Sequence, residues 1–279
     1  MAYKCFDVAV ADGVAHVRLN RPAALNALNW DFFSELPEIL FDIDDNARAR
    51  VIVLSSTGKH FCVGMDLSLF DASETISRDP AVDELGRQRE AFRDNLVRTQ
   101  GVFTALEEIR IPVIAAVQGA CVGGGLDLVA ACDFRYATDS AFFCIQEINI
   151  GAPPDLGTFP RLCRLLPEGL VRELAYTGRR LSAEKALANG FVNEVFQAED
   201  DMVAAALETA REIAAHSPLA LLGSKHFMNY ARDHTTAESL DRVALWMAAM
   251  AHGEDIRVAI TARAEKKTPV FADLPKRKR

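Results

Sequence analysis

The sequence predicts an α/β protein, rich in strands up to residue 197 and mainly helical beyond it. Three observations carry this. Residues 5–10 and 14–19 alternate in character around Asp12-Gly13, the signature of a β-hairpin with a tight turn. Residues 51–54 (VIVL) and 112–117 (PVIAAV) are short apolar runs, and the wholly apolar 51–54 marks a strand buried on both faces. From Gln197 onward the composition shifts, and residues 200–216, 218–230, 237–252 and 255–266 all read as helices.

Arg21-Pro22 ends the second strand of the hairpin. Asn29 can cap a helix over 30–43, where Phe33, Leu36, Leu40 and Ile43 share a face; Pro37 argues against its continuity. A turn-rich loop (SSTGKH) follows the 51–54 strand and leads into FCVGMDL. Residues 71–94 are polar and charged, which suggests a surface excursion grading into a helix that Phe103, Leu106 and Ile109 continue. Residues 162–166 and 170–176 read as short helices, Ser182 caps another (AEKALANG) that stops at Gly190, and residues 191–196 are a last strand. Pro218 suits the first turn of its helix. Trp246, Met247 and Met250, at helical spacing, predict a packing face that could lie between subunits.

With 279 residues, half of them hydrophobic and a quarter charged, the chain has an ordinary globular composition. Two parts are expected, a core over residues 1–197 and a helical region over 198–279. The net charge of −8 argues against nucleic acid or an anionic membrane as the main partner. The longest apolar stretch, 112–132, is interrupted by Gln118, Asp127 and glycines, so it reads as strand, turn and helix rather than a membrane span. The start of the chain has neither a signal-peptide nor a transit-peptide character, and the six cysteines read as reduced, buried, small hydrophobes. Together these features predict a cytoplasmic protein.

The chemistry concentrates in 112–161, which couples a glycine cluster (Gly119, Gly123, Gly124, Gly125) to three acids, Asp127, Glu147 and Asp155. The glycines match neither a phosphate-loop nor a dinucleotide pattern. They suit close helix–strand packing or an oxyanion hole, in which backbone N–H groups face a developing negative oxygen. Taken singly, each acid has a structural reading, Asp155 as a helix cap for example. Taken together, with Arg135 the only basic residue between Gly119 and Ile150, mutual repulsion and desolvation would keep at least one protonated near neutrality. An acid paired with a base is what moving a proton requires. No histidine spacing suggests a metal, and neither Cys121 nor Cys144 has a histidine placed to activate it.

FCVGMDL, AAVQGACVGGGLDLVAACDFRYA, QEINIGAPPDLGTFPRL and TGRRLSAEKALANGFVNEVF together resemble the crotonase (enoyl-CoA hydratase/isomerase) superfamily, over nearly the whole chain. The resemblance implies a crotonase-type spiral of ββα units with a C-terminal helical region used in assembly, as a homotrimer or homohexamer. It implies acyl-CoA thioester substrates, with coenzyme A as part of the substrate and no separate cofactor or metal. Met65 and Gly124 match the two oxyanion-hole donors, while Leu25, Ala27, Gly64, Asp66 and Leu67 would lie along the CoA moiety. Within the family, Asp127, Glu147 and Asp155 with GGGLDL, QEINIG and DLGT look like the Δ3,5-Δ2,4-dienoyl-CoA isomerase subfamily of fatty-acid β-oxidation. Glu147 would then exchange the C2 proton, Asp155 would serve C6, and Asp127 would tune the site. The rival expectations are a 2-enoyl-CoA hydratase using Asp127 and Glu147, and a non-catalytic crotonase-fold binding protein.

Overall fold

The structure, a computed structural model, describes residues 3–66, 69, 84–250 and 253–278. Leu67 lies outside these residues, and so does the part of the polar segment before Glu84. The expected hairpin is formed by β1 (Phe6–Ala11) and β2 (Val14–Leu19), paired antiparallel across Asp12-Gly13. Both turn residues take positive φ, as a tight hairpin turn demands. Parallel strands β3 (Val51–Ser56), β4 (Val113–Val117), β6 (Phe134–Thr138) and β9 (Glu194–Phe196) extend the sheet in the order β1-β2-β3-β4-β6-β9. A second, three-stranded sheet joins β5 (Ala120–Val122), β7 (Phe142–Cys144) and β8 (Arg180–Ser182).

Parallel strands need cover on both faces, and the two-residue period of the side chains divides it. Val17, Leu19, Ile52, Leu54, Val113, Ala115 and Val117 join the larger core, which also takes in Phe32, Leu36, Ile39 and Leu40 of α1 (Trp30–Asp45) and Phe103 and Leu106 of α2 (Leu85–Glu108). Val14, Val51, Val53, Ile114 and Ala116 face the other way, against Met202, Ala206, Ala210 and Ala214 of α7 (Glu199–Ala214). Alanines at four-residue spacing let α7 lie close on the sheet, so this helix packs with the strands although it follows residue 197.

Asn29 caps α1 by accepting from the Phe32 N–H, and the expected helix forms and runs unbroken through Pro37 to Asp45. Ser182 caps α6 (Ala183–Ala188) through the Lys185 N–H. The strand expected over 191–196 is shorter, because Phe191 turns into the core beside Phe143 instead of pairing. Cys163 is exposed, so the buried reading holds for the other five cysteines. Among the described residues no helix is long and apolar enough to cross a membrane.

The other α-helices among the described residues are α3 (Gly124–Ala130), α4 (Thr158–Leu165), α5 (Glu168–Thr177), α8 (Pro218–Tyr230), α9 (Thr236–Met250) and α10 (Glu254–Ala264). Buried Lys225 pins α8 to the core, donating to the Leu106 and Ile111 carbonyls and to Asp133 at 2.8, 2.9 and 3.0 Å. After α10 the chain returns as a strap to the start of the fold. Arg50 holds the Phe271 carbonyl and Asp273, and Arg110 joins buried Asp44 to the Pro275 carbonyl.

Candidate active site

Two crossing chain segments make one wall of the site. Gly119 has φ +58°, and a Cβ there would stand 2.3 Å from the Lys59 carbonyl oxygen, so only glycine lets the two segments pass this closely. Phe61 N–H donates to Gln118, Cys62 N–H to Ala120, and Val122 N–H back to Cys62, which locks FCVGMD against β5. Further along, the Gly64 carbonyl accepts from Leu28 N–H, and Asp66 N–H donates to the Leu28 carbonyl. Extended backbone alternates its sides, so the Met65 N–H points away from Leu28. Gly124 opens α3, where an N–H has no intrahelical acceptor. The two residues adjoin, since a Cβ on Gly124 would lie 3.9 Å from Met65 Sδ. Both line a cavity of about 840 Å³.

That cavity also takes in Leu25, Ala27, Gly64 and Asp66, so these expected substrate-binding residues converge with the two donors. The loop carrying Leu25 and Ala27 is held by buried Asn26, whose side-chain amide donates to the Thr57 and His60 carbonyls while its Oδ1 accepts from Arg21 N–H. Arg21 in turn donates to the Ala27 carbonyl and pairs with Asp66. The PAALN segment held the clue to this brace: a polar Asn between apolar neighbours in a loop, a residue type that bonds main-chain groups around it.

The acids reach the cavity from later stretches of the chain. Glu147 begins a 3₁₀ turn (Glu147–Ile150) and is half-buried, with Oε1 3.1 Å from where a Gly123 Cβ would be. Oε2 is buried without a hydrogen-bond partner among the described residues. Burial raises the Glu147 pKa above the usual carboxylate range, with nearby Asp155 adding to the rise. Asp155 lines the same cavity on a segment stiffened by Pro153 and Pro154. Although exposed to the cavity, it loses enough water to the surrounding wall that its pKa is raised as well. It caps nothing; α4 begins after Gly157.

Asp127 is placed differently from the other two. It sits in the first turn of α3, is 1 % exposed, and does not line the cavity. Burial pushes its pKa up to about 7 against the pull of a 2.7 Å hydrogen bond donated by Thr158 Oγ1, and Glu147 raises it further. Thr158, 1 % exposed, is a site-supporting residue that no sequence pattern marks. The structure thus brings Glu147, Asp155, Met65 and Gly124 to one cavity and sets Asp127 behind it. Two acids of raised pKa sharing a cavity with two amide groups suit removal of a proton beside a carbonyl and its return elsewhere.

Residues 9–275 match the family described as enoyl-CoA hydratase/isomerase. The chain is 40% identical over 261 residues to a protein of Arabidopsis thaliana named peroxisomal Δ3,5-Δ2,4-dienoyl-CoA isomerase, covering 94% of this chain and 93% of that one. It is 42% identical over 255 residues to the mitochondrial Δ3,5-Δ2,4-dienoyl-CoA isomerase of Rattus norvegicus, covering 91% and 77%. Among solved structures, an enoyl-CoA hydratase of Bacillus anthracis superposes with a TM-score of 0.84 at 31% identity, covering 96% and 99%. The peroxisomal and mitochondrial names overturn the expectation of a cytoplasmic protein. Free thiols and an unremarkable N-terminus do not specify a compartment, which is why that inference failed.

Proposed function

The chain belongs to the enoyl-CoA hydratase/isomerase family, and within it we propose that the cavity converts 3,5-dienoyl-CoA to 2,4-dienoyl-CoA. The observation that carries this reading is Asp155, a second acid of raised pKa in the cavity that Glu147 lines. The relatives named Δ3,5-Δ2,4-dienoyl-CoA isomerase support it.

The amide N–H groups of Met65 and Gly124 hold the thioester oxygen, each worth about 3 kcal/mol as negative charge builds there. Ionised Glu147 takes a proton from C2, and the electron pair spreads over the conjugated chain. Protonated Asp155 delivers its proton to C6, leaving double bonds at C2–C3 and C4–C5. Glu147 now holds one proton more and Asp155 one fewer, and exchange with solvent resets both. Two groups are needed because C2 and C6 lie too far apart for one rigidly held carboxyl to reach both. Asp127, behind Glu147 and close to neutral pH in its own titration, sets the local charge without touching substrate.

Leu25, Ala27, Gly64 and Asp66 receive the CoA moiety, which enters as part of the substrate. We further assign assembly into trimers or hexamers to the 198–279 region, supported by Met228, Leu240, Leu245, Met247 and Ile260, all exposed on α8–α10; sedimentation of the protein tests this. The activity is tested by offering a 3,5-dienoyl-CoA and a 2-enoyl-CoA side by side. Appearance of the conjugated 2,4-dienoyl chromophore is expected. Hydration of the 2-enoyl ester with no dienoyl product would replace this reading with a hydratase.

A further inference from the structure

α2 presents Gln100, Thr104 and Glu107 at the three- and four-residue spacing that puts side chains on one face. All three bond to the segment that carries Asp155. Gln100 Nε2 donates to the Asp155 carbonyl at 2.6 Å. Glu107 Oε2 accepts from both Nε and Nη2 of Arg161, at 3.0 and 2.7 Å, and Thr104 Oγ1 accepts from Nη2 at 3.1 Å. Arg161 Nη1 reaches back to the Leu156 carbonyl at 3.4 Å. Gly157 makes room for this, since a Cβ there would stand 1.9 Å from Nη1. The Asp155 main chain is therefore held at its own carbonyl and the next one, behind two prolines. Glu147 has no part in this arrangement: its 3₁₀ turn follows β7 of the small sheet.

From this asymmetry we propose that Gln100, Thr104 and Glu107, with Arg161, are positioning residues for the Asp155 carboxyl and hence for one half of the reaction only. The inference rests on the reading of Asp155 as the C6 acid. Glu147 removes the C2 proton whether or not α2 holds Asp155 in place. Delivery of the Asp155 proton to C6 depends on the distance from the carboxyl oxygen to that carbon. A displacement of about 1 Å can cost on the order of a hundredfold in such a transfer. The end of α8 takes part too: the Asn229 amide donates to the Glu107 carbonyl, and Arg232, just past the helix, pairs with the Glu107 carboxylate.

The test follows both protons in deuterium oxide, with a 3,5-dienoyl-CoA as substrate. Exchange of deuterium into C2 of unreacted substrate reports the Glu147 step, and deuterium at C6 of the product reports the Asp155 step. For Gln100→Leu and for Glu107→Gln, C6 labelling should slow on the order of tenfold or more while C2 exchange stays within about twofold of the parent. Gln100→Leu removes a single hydrogen bond at a half-buried position, so it guards against a misfolded Glu107 variant. Equal slowing of both steps, or of neither, overturns the positioning role. If the parent protein itself places no deuterium at C6, the assignment of Asp155 fails and this inference with it. A normal parent beside an unselective Gln100→Leu leaves the isomerase reading standing and removes only the role of α2.

Discussion

The two walls of the cavity are built from different material, one from backbone and the other from side chains. The Met65 and Gly124 amides belong to two chain segments locked together by main-chain hydrogen bonds and by a glycine contact with no space for a methyl group. Glu147 and Asp155 instead present carboxyls, carried on a 3₁₀ turn and on a proline-stiffened segment. A backbone donor cannot be mutated away, so the first wall can be broken only by disturbing packing. The second can be broken one functional group at a time. Activity and stability should therefore separate on the acid wall and fall together on the amide wall.

The largest effect is expected from Glu147→Gln and Asp155→Asn, each lowering kcat by about 10²–10⁴ as the loss of an acid–base group does. Binding of a CoA thioester, followed by calorimetry, should stay within a few-fold of the parent, and thermal unfolding should shift little. If either variant isomerised at the parent rate, its carboxyl would have no part in proton transfer.

Gly119→Ala should show the opposite behaviour. A methyl group 2.3 Å from the Lys59 carbonyl oxygen, on a residue at φ +58°, should cost about 2–4 kcal/mol in denaturant unfolding, and activity should fall with it. A variant that lost stability yet kept full kcat would separate the donors from the packing that is said to place them.

Asp127 belongs to neither wall, and its effect is on pH dependence. With a folded-state pKa of about 7 against the ordinary 3.8, the folded chain holds more protons than the unfolded chain between those values. Stability contributed by this group is thus lost as pH rises through that window. Asp127→Asn removes the cost of ionising a buried carboxyl, so its stability relative to the parent should grow by on the order of 2–3 kcal/mol between about pH 5 and pH 8. A flat difference across that range would place the Asp127 titration elsewhere.

Thr158→Val should have the smallest effect. Loss of the hydrogen bond that favours the Asp127 carboxylate raises the pKa further, moving the same stability transition to higher pH. The turnover number should change by no more than about tenfold, because Thr158 touches a residue that itself stands behind the cavity.

Much of this was legible in the sequence wherever the determinants are local. The hairpin, the Asn29 and Ser182 caps and the glycine turn each depend on a few neighbouring residues, and each forms as expected. What escaped depends on distant partners. Phe191 leaves its strand because Phe143 offers a buried edge-on ring contact, a preference that no local pattern encodes. Asp127 was expected to tune the site, but its burial behind the cavity, bonded to Thr158, emerges only when α3 and α4 pack together. Gln100 and Arg161 are unremarkable surface-type residues until α2 and α4 come together.

The strap after α10 has a consequence for how the molecule folds. The Arg50 bonds to Phe271 and Asp273, the Arg110 bond to the Pro275 carbonyl and the Arg277 N–H bond to the Asp45 carbonyl all close loops of well over a hundred residues. Bringing such remote segments together costs more chain entropy than forming the hairpin or a single helix, and contacts of this kind form late. The charged groups Asp44 and Arg110 are buried beneath the strap, so the partly folded chain must keep them hydrated until it closes. In a refolding experiment the strap should accordingly mark the final, slowest phase, after the sheet and its helices have already assembled.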